Sequence, residues 1–297
     1  MRIVTRPDFD GVVCAALLFE AEEITEPIQW VEPNDMQKGA VSVQPGDIIA
    51  NLPYHEDCSL WFDHHYTNQP ENSFEGAYKM APSAAGVIYE YYGDIWSRNY
   101  DELIRETDRI DSADLTMDEV LHPENYPYIL LSMTLTGRDK SDAAYWNRVV
   151  DLLRTRDIDA ILQDLEVQNR CRQVIEQNRV FKSLLEDHSR LIEQVTVTDF
   201  RPLAEAPQGN RFLVYSLYPQ AVVSVKIRYE GADKRKVIIG VGHSIFNRNC
   251  KVNVGLMLAG FGGGGHRGAG SCTVPADQAE EAVDTIVGTL LKNEPNE

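Results

Sequence analysis

The sequence predicts an α/β protein in three parts: a doubly wound parallel-sheet domain, a helical connector, and a smaller α/β domain with a mixed sheet. Three observations carry that prediction. Up to residue 140, short apolar runs rich in β-branched residues alternate with helical patterns, as a parallel sheet requires. Residues 141–194 are long-patterned, polar and helical. From 195 onward several apolar runs come in close succession, and two helices follow. The expected boundaries are therefore 1–140, 141–194 and 195–297.

Residues 1–5 (MRIVT) are the first strand, and Arg6-Pro7-Asp8-Phe9-Asp10-Gly11 turns from it into an apolar helix. Strands follow at 28–32, at 47–52 (stopped by Pro53) and at 58–62, the last running into Asp63-His64-His65. Ser83, after Pro82, caps a helix over Ala84–Tyr92 that Gly93 ends. A helix over Asp101–Ile110 delivers Asp108 and Asp111, whose spacing of three places them on one helical face. In the connector the apolar positions are not heptad-regular, which argues for bridging helices rather than a coiled coil. No turn chemistry interrupts Asp159 to Asp187. Beyond it, strands are expected at 195–199, 211–217, 221–229 and 236–241, then helices near Val252–Leu258 and over Ala276–Leu291.

The net charge of −18 excludes a protein that coats long duplex nucleic acid by bulk attraction. No run approaches the roughly 20 apolar residues of a membrane span, and the first residues carry no signal-peptide core. Five scattered cysteines without a C-x-x-C pair argue against a disulfide framework and a thiolate zinc site. A cytoplasmic protein without a membrane partner is expected. Charge is uneven, however: residues 221–270 hold eight basic side chains against two acidic ones. A basic module beside an acidic remainder suits a small anionic ligand.

Three stretches carry candidate chemistry. Asp8 and Asp10 lie just past the carboxyl end of the first strand, the edge where open α/β sheets bind ligands. Two carboxylates in one turn can serve divalent cations, although a capping aspartate beside a turn aspartate is the plainer reading of the pair alone. Asp63-His64-His65 concentrates metal and phosphate ligands at a strand end. Phe261-Gly262-Gly263-Gly264-Gly265-His266-Arg267-Gly268-Ala269-Gly270 offers four consecutive glycines that are read as having no packing purpose. They would let main-chain N–H groups approach an anion, with His266 and Arg267 adding charge.

In order and spacing, Arg-Pro-Asp8-Phe-Asp10-Gly, Asp63-His64-His65 and the GGGGHRGAG stretch resemble the motifs of the DHH–DHHA1 phosphoesterase superfamily over essentially the whole chain. Within it, the chain resembles short two-domain members of the exopolyphosphatase-related and nanoRNase-like kind. The resemblance implies a hydrolase using Mn2+ or Mg2+. By position, Asp10, His64 and a fourth-motif aspartate would hold one metal, and Asp8 the other. Asp111 is preferred for the fourth motif because Ser112 follows it, with Asp108 as the alternative. His65 would face the substrate phosphate, with Asp63 beside it in the catalytic group. Gly263, Gly264, Gly265, His266 and Arg267, with Arg248 upstream, would grip the substrate.

Two positions depart from the family pattern. Val4 stands where a histidine ligand is usual, and Asn51 where an aspartate usually bridges both metals. Valine cannot ligate, and a neutral carboxamide bridges two cations poorly. One firm metal site and a possible second are therefore expected, with His55 or Asp57 as conceivable replacements. The expected partner is a small phosphate-containing substrate: a short single-stranded oligonucleotide, a nucleotide or a short polyphosphate. A homodimer is the assembly considered. The competing function is a degenerate member that binds a nucleotide or phosphate without turnover. A pure interaction protein fits the glycine stretch poorly.

Overall fold

The computed structural model describes residues 1–70, 73–137 and 139–297. β1 (Arg2–Thr5) passes through Pro7 into α1 (Phe9–Ala21), in which every residue from Phe9 to Leu18 is buried. A helix apolar on all sides must be central, and this one packs against the sheet and neighbouring helices. The chain continues through β2 (Gln29–Trp30), α2 (Pro33–Gln37), β3 (Asp47–Ala50), β4 (Leu60–Asp63) and β5 (Gly76–Tyr78). These five strands form one sheet in the order β2-β1-β3-β4-β5, every pair parallel. Val4, Val31, Ile49, Leu52 and Trp61 make one apolar cluster, in which the Trp61 indole donates to the Leu52 carbonyl at 2.9 Å. β5 was not foreseen because three residues give no alternation. Gly76 is required there: its φ is +115°, and a Cβ would lie 2.1 Å from the Trp61 carbonyl oxygen.

Helices follow: α3 (Ala84–Tyr92), α4 (Asp101–Asp111), α5 (Met117–Leu121), α6 (Pro127–Met133), α7 (Ala143–Thr155), α8 (Ile158–Leu162) and α9 (Leu165–His188). The expectation that nothing interrupts Asp159 to Asp187 is corrected: the helix breaks between Leu162 and Leu165. The Asp164 carboxylate accepts the N–H groups of Glu166 at 3.1 Å and Val167 at 3.4 Å, starting a new helix after α8. Residues 1–115 and 123–173 form one compact unit; residues 116–122 and 174–297 form a second.

The second unit holds β6 (Ser189–Ile192), β7 (Val195–Asp199), α10 (Leu213–Leu217), β8 (Val223–Tyr229), β9 (Lys236–His243), α11 (Val254–Ala259), β10 (Gly264–His266), β11 (Ala269–Pro275) and α12 (Ala279–Lys292). Its six strands run in the order β10-β11-β9-β8-β7-β6. Only β7 and β8 pair in parallel, so the sheet is mixed. The strand expected over 211–217 is instead α10. A parallel pair cannot be joined by a hairpin, so the chain between β7 and β8 must cross over, and α10 lies on that crossover. β-branched and aromatic content misled here, because the deciding contact lies in strands on either side. No helix among the described residues is long and apolar enough to cross a membrane.

Candidate metal centre and glycine hairpin

The first-unit site is built where β1, β3 and β4 end. Asp10, wholly buried in the first turn of α1, is held by the N-terminus of α3: its Oδ2 accepts from Ala84 N at 2.9 Å and its Oδ1 from Ala85 N at 2.8 Å. A helix N-terminus suits a negative charge; Oδ1 also accepts from Cys14 Sγ at 3.7 Å, and Oδ2 keeps a further lone pair. His64 follows β4. Its Nδ1 donates to the Ala81 carbonyl at 2.9 Å, which leaves the lone pair on Nε2. That Nε2 lies 3.8 Å from Asp10 Oδ2 and 3.4 Å from Asp111 Oδ2. It is buried and has no hydrogen-bond partner among the described residues.

Asp10, His64 and Asp111 thus each offer a ligand atom within 4.8 Å of the others. Burial, reinforced by the charge of Asp8, raises the pKa of Asp10. Burial and then the charges of Asp10 and Asp8 raise that of Asp111. Crowded carboxylates and an imidazole nitrogen without a proton partner are the surroundings that a divalent cation stabilises. These residues therefore fit a metal ion. Asp108 is held differently, although it too lies within reach of the His64 charge: its Oδ1 accepts from Ser83 Oγ at 2.6 Å, and Ser83 caps α3.

Asp63 and His65 form a second element. Asp63 is fully buried, and both its oxygens are engaged, by His65 Nδ1 at 2.8 Å and by Asn68 Nδ2 at 2.6 Å. Asp63 therefore orients His65 and has little left for a metal. Burial opposes protonation of His65, but the hydrogen bond and charge of Asp63 outweigh it and raise its pKa.

Asp8 caps α1, its Oδ1 accepting from Gly11 N at 2.9 Å. The same oxygen accepts from Asn51 Nδ2 at 3.0 Å, and Asp8 Oδ2 pairs with Arg6 Nη1 at 3.1 Å. Val4 is fully buried in the cluster around Trp61. Sequence reasoning passed over Arg6, although it lies inside the quoted motif; its charge beside Asp8 was the available signal. His55 and Asp57 pair with one another at 3.7 Å and are both exposed or nearly so.

In the second unit the glycine stretch is not a free loop. Gly264 to His266 pair with Ala269 to Ser271 as a tight antiparallel hairpin, and α11 lies against it. The expectation that the four glycines serve no packing purpose is corrected. A Cβ on Gly263 would meet the Ser271 carbonyl at 2.3 Å, and one on Gly265 (φ +150°) the Ala269 carbonyl at 2.3 Å. Gly264 has open space around its Cα, and His266 and Arg267 are exposed. The Arg267 guanidinium forms an ion pair with Glu297. Arg248, in the loop after β9, is exposed and donates to the Ile245 carbonyl at 3.1 Å. A residue missed in the sequence is His243, half-buried beside Gly268, with its Nε2 2.9 Å from the Val252 carbonyl.

Among solved structures, the pGpG-specific phosphodiesterase PggH from Vibrio cholerae is similar to this chain at 33% identity, with a TM-score of 0.86, across 99% of each chain. An exopolyphosphatase-related protein from Bacteroides fragilis shares the fold at 13% identity and a TM-score of 0.55, across 98% of this chain and 91% of its own. RecJ from Thermus thermophilus, solved with Mn2+, does so at 11% identity and 0.58, across 98% of this chain and 52% of its own. No protein-family model matches the sequence, and no curated protein does.

Proposed function

This chain belongs to the DHH family of phosphoesterases, and from that premise we propose that it hydrolyses a phosphate ester or phosphoanhydride of a small anionic substrate with a divalent cation, Mn2+ or Mg2+. A linear dinucleotide of the pGpG kind is the substrate proposed first, because the full-length similarity at 33% identity is to a pGpG-specific enzyme. The observation that carries the reading is the buried, unpartnered Nε2 of His64 between Asp10 and Asp111.

Asp10, His64 and Asp111 would hold the cation. When bound, it supplies Lewis-acid polarisation of a phosphoryl oxygen and acidifies a water molecule. Ala84 and Ala85 N–H groups hold Asp10 in place, and the Ala81 carbonyl fixes the His64 tautomer. Asp63 accepts from His65 Nδ1 and raises its pKa, and in its protonated form His65 also presents Nε2–H to a phosphoryl oxygen and stabilises the charge that develops there. In the second unit, His266 and Arg267 with Gly264 and Gly265, and Arg248, are proposed to bind an anionic group of the substrate, whereas the Gly263 N–H is spent on the Leu258 carbonyl at 3.0 Å.

The test is incubation of the purified protein with Mn2+ and a panel: pGpG, pApA, phosphoadenosine phosphate, cyclic dinucleotides and short polyphosphate. Conversion of pGpG to two mononucleotides, abolished by chelator, is the expected result. A second reading, binding without turnover, is favoured by Asn51 at the usual bridging position. Tight binding of one compound with no hydrolysis of any would establish it and exclude the enzyme.

A further inference from the structure

At Asp8, where the family pattern implies a second cation, nitrogen donors already occupy the carboxylate. Asp8 Oδ1 accepts from Gly11 N at 2.9 Å and Asn51 Nδ2 at 3.0 Å, and Oδ2 lies 3.1 Å from Arg6 Nη1. Glu32 Oε2, 3.8 Å from Arg6 Nε, braces the guanidinium from its other end. Gly137 makes room for that brace, since a Cβ there would lie 1.9 Å from Glu32 Oε1. Asn51 is 1% exposed with a φ of 57°, a conformation that asparagine tolerates better than most residues. Its amide is therefore a fixed part of the site, with Nδ2 given to Asp8 and a neutral Oδ1 buried without a hydrogen-bond partner among the described residues. Val4 adds no ligand and sits among Ile49, Leu52 and Trp61, so a substituted histidine would enter an apolar cluster.

Charge points the same way. A divalent ion held by Asp10, His64 and Asp111 would face two carboxylates and one imidazole nitrogen. The single charge of Asp8 is cancelled by Arg6. A second divalent ion would find Asp8 Oδ1 filled by two N–H donors, would have to share Oδ2 with the Arg6 guanidinium, and would find no anionic bridge at Asn51. The residues at Asp8 do not fit a second metal.

We propose that Arg6, set by Asp8, Asn51 and Glu32, replaces the second metal, so that this protein works with one divalent ion and one built-in guanidinium. Arg6 has five N–H donors in a planar fork, and those not spent on Asp8 are suited to a phosphoryl oxygen. The cation at this position is then permanent and independent of metal supply. The inference rests on the proposed metal centre at Asp10, His64 and Asp111.

The test counts metal and reads its magnetism. Mn2+ is titrated into the full chain by calorimetry, and electron paramagnetic resonance is recorded with two Mn2+ added per chain. The wild type should bind one ion with an isolated six-line spectrum, and Arg6→Lys should do the same. Arg6→Ala combined with Asn51→Asp should gain a second ion with a spin-coupled spectrum. Arg6→Ala alone should keep one ion and lower kcat/KM for pGpG roughly 10- to 100-fold, as loss of a charge-assisted hydrogen bond does. Two spin-coupled ions in the wild type would overturn the inference and leave the metal-dependent reading standing. A double variant with unchanged circular dichroism that still binds one ion would overturn it as well. No Mn2+ bound to the wild type would instead remove the metal centre itself, and the inference with it.

Discussion

Asp8 and Asp10 leave the same strand-to-helix turn two residues apart, yet their surroundings differ in kind. Asp10 is buried against two backbone N–H groups and faces an imidazole nitrogen that has no hydrogen-bond partner among the described residues. Asp8 is half-exposed and meets a cap N–H, a carboxamide and a guanidinium. On the proposed reading the first takes a cation to complete it; the second already has the Arg6 guanidinium. The contrast teaches that a carboxylate in a metal motif is a metal ligand only when its neighbours leave it unanswered.

The largest effect should come from His64→Ala. Its loss removes the nitrogen ligand, and Mn2+ binding measured by calorimetry should disappear, with turnover falling by at least about 1,000-fold. Stoichiometric Mn2+ in that variant would break the contrast outright. Next, Asp10→Asn should weaken Mn2+ binding by roughly 100-fold or more, while Asp8→Asn changes it by less than about threefold. Equal losses in the two variants would show that Asp8 is also a ligand. His65→Gln should keep the metal count and lower kcat by on the order of 100-fold, the usual scale for one positioned donor. Smallest is Val4→Ala, which should cost about 1–3 kcal/mol in denaturant unfolding with no change in metal count. A changed metal count would place Val4 in the site rather than in the core.

A similar division between filled and free positions runs through the glycine hairpin. Gly263→Ala and Gly265→Ala force a Cβ into a neighbouring carbonyl, whereas Gly264→Ala meets nothing. The first two should lower the melting temperature clearly and the third should leave it nearly unchanged. The glycines were conspicuous in the sequence, but their strand partners Ala269 to Ser271 were not, so packing was invisible there. Residues 211–217 escaped for a related reason: the parallel register of β7 on β8 is a nonlocal fact that local propensity does not encode.

The site itself was more legible. Asp63, His64 and His65 are contiguous, and Asp8 and Asp10 share a turn, so the chain announces them together. Choosing Asp111 over Asp108 had only Ser112 behind it, and what separates them in space is the hold of Ser83 on Asp108. Direction was the hidden quantity. The sequence shows that Arg6 is charged, but not that it turns back onto Asp8 with Glu32 behind it. Likewise Asn51 reads as a missing carboxylate, whereas in the fold its amide is a donor in use.

The most direct measurement of the central claim is anomalous diffraction at the manganese edge from crystals grown with excess Mn2+. One peak per chain is expected, bonded to His64 Nε2, Asp10 and Asp111, with Arg6 still on Asp8. A peak bonded to Asp8 or bridged by Asn51, alone or beside the first, would contradict it.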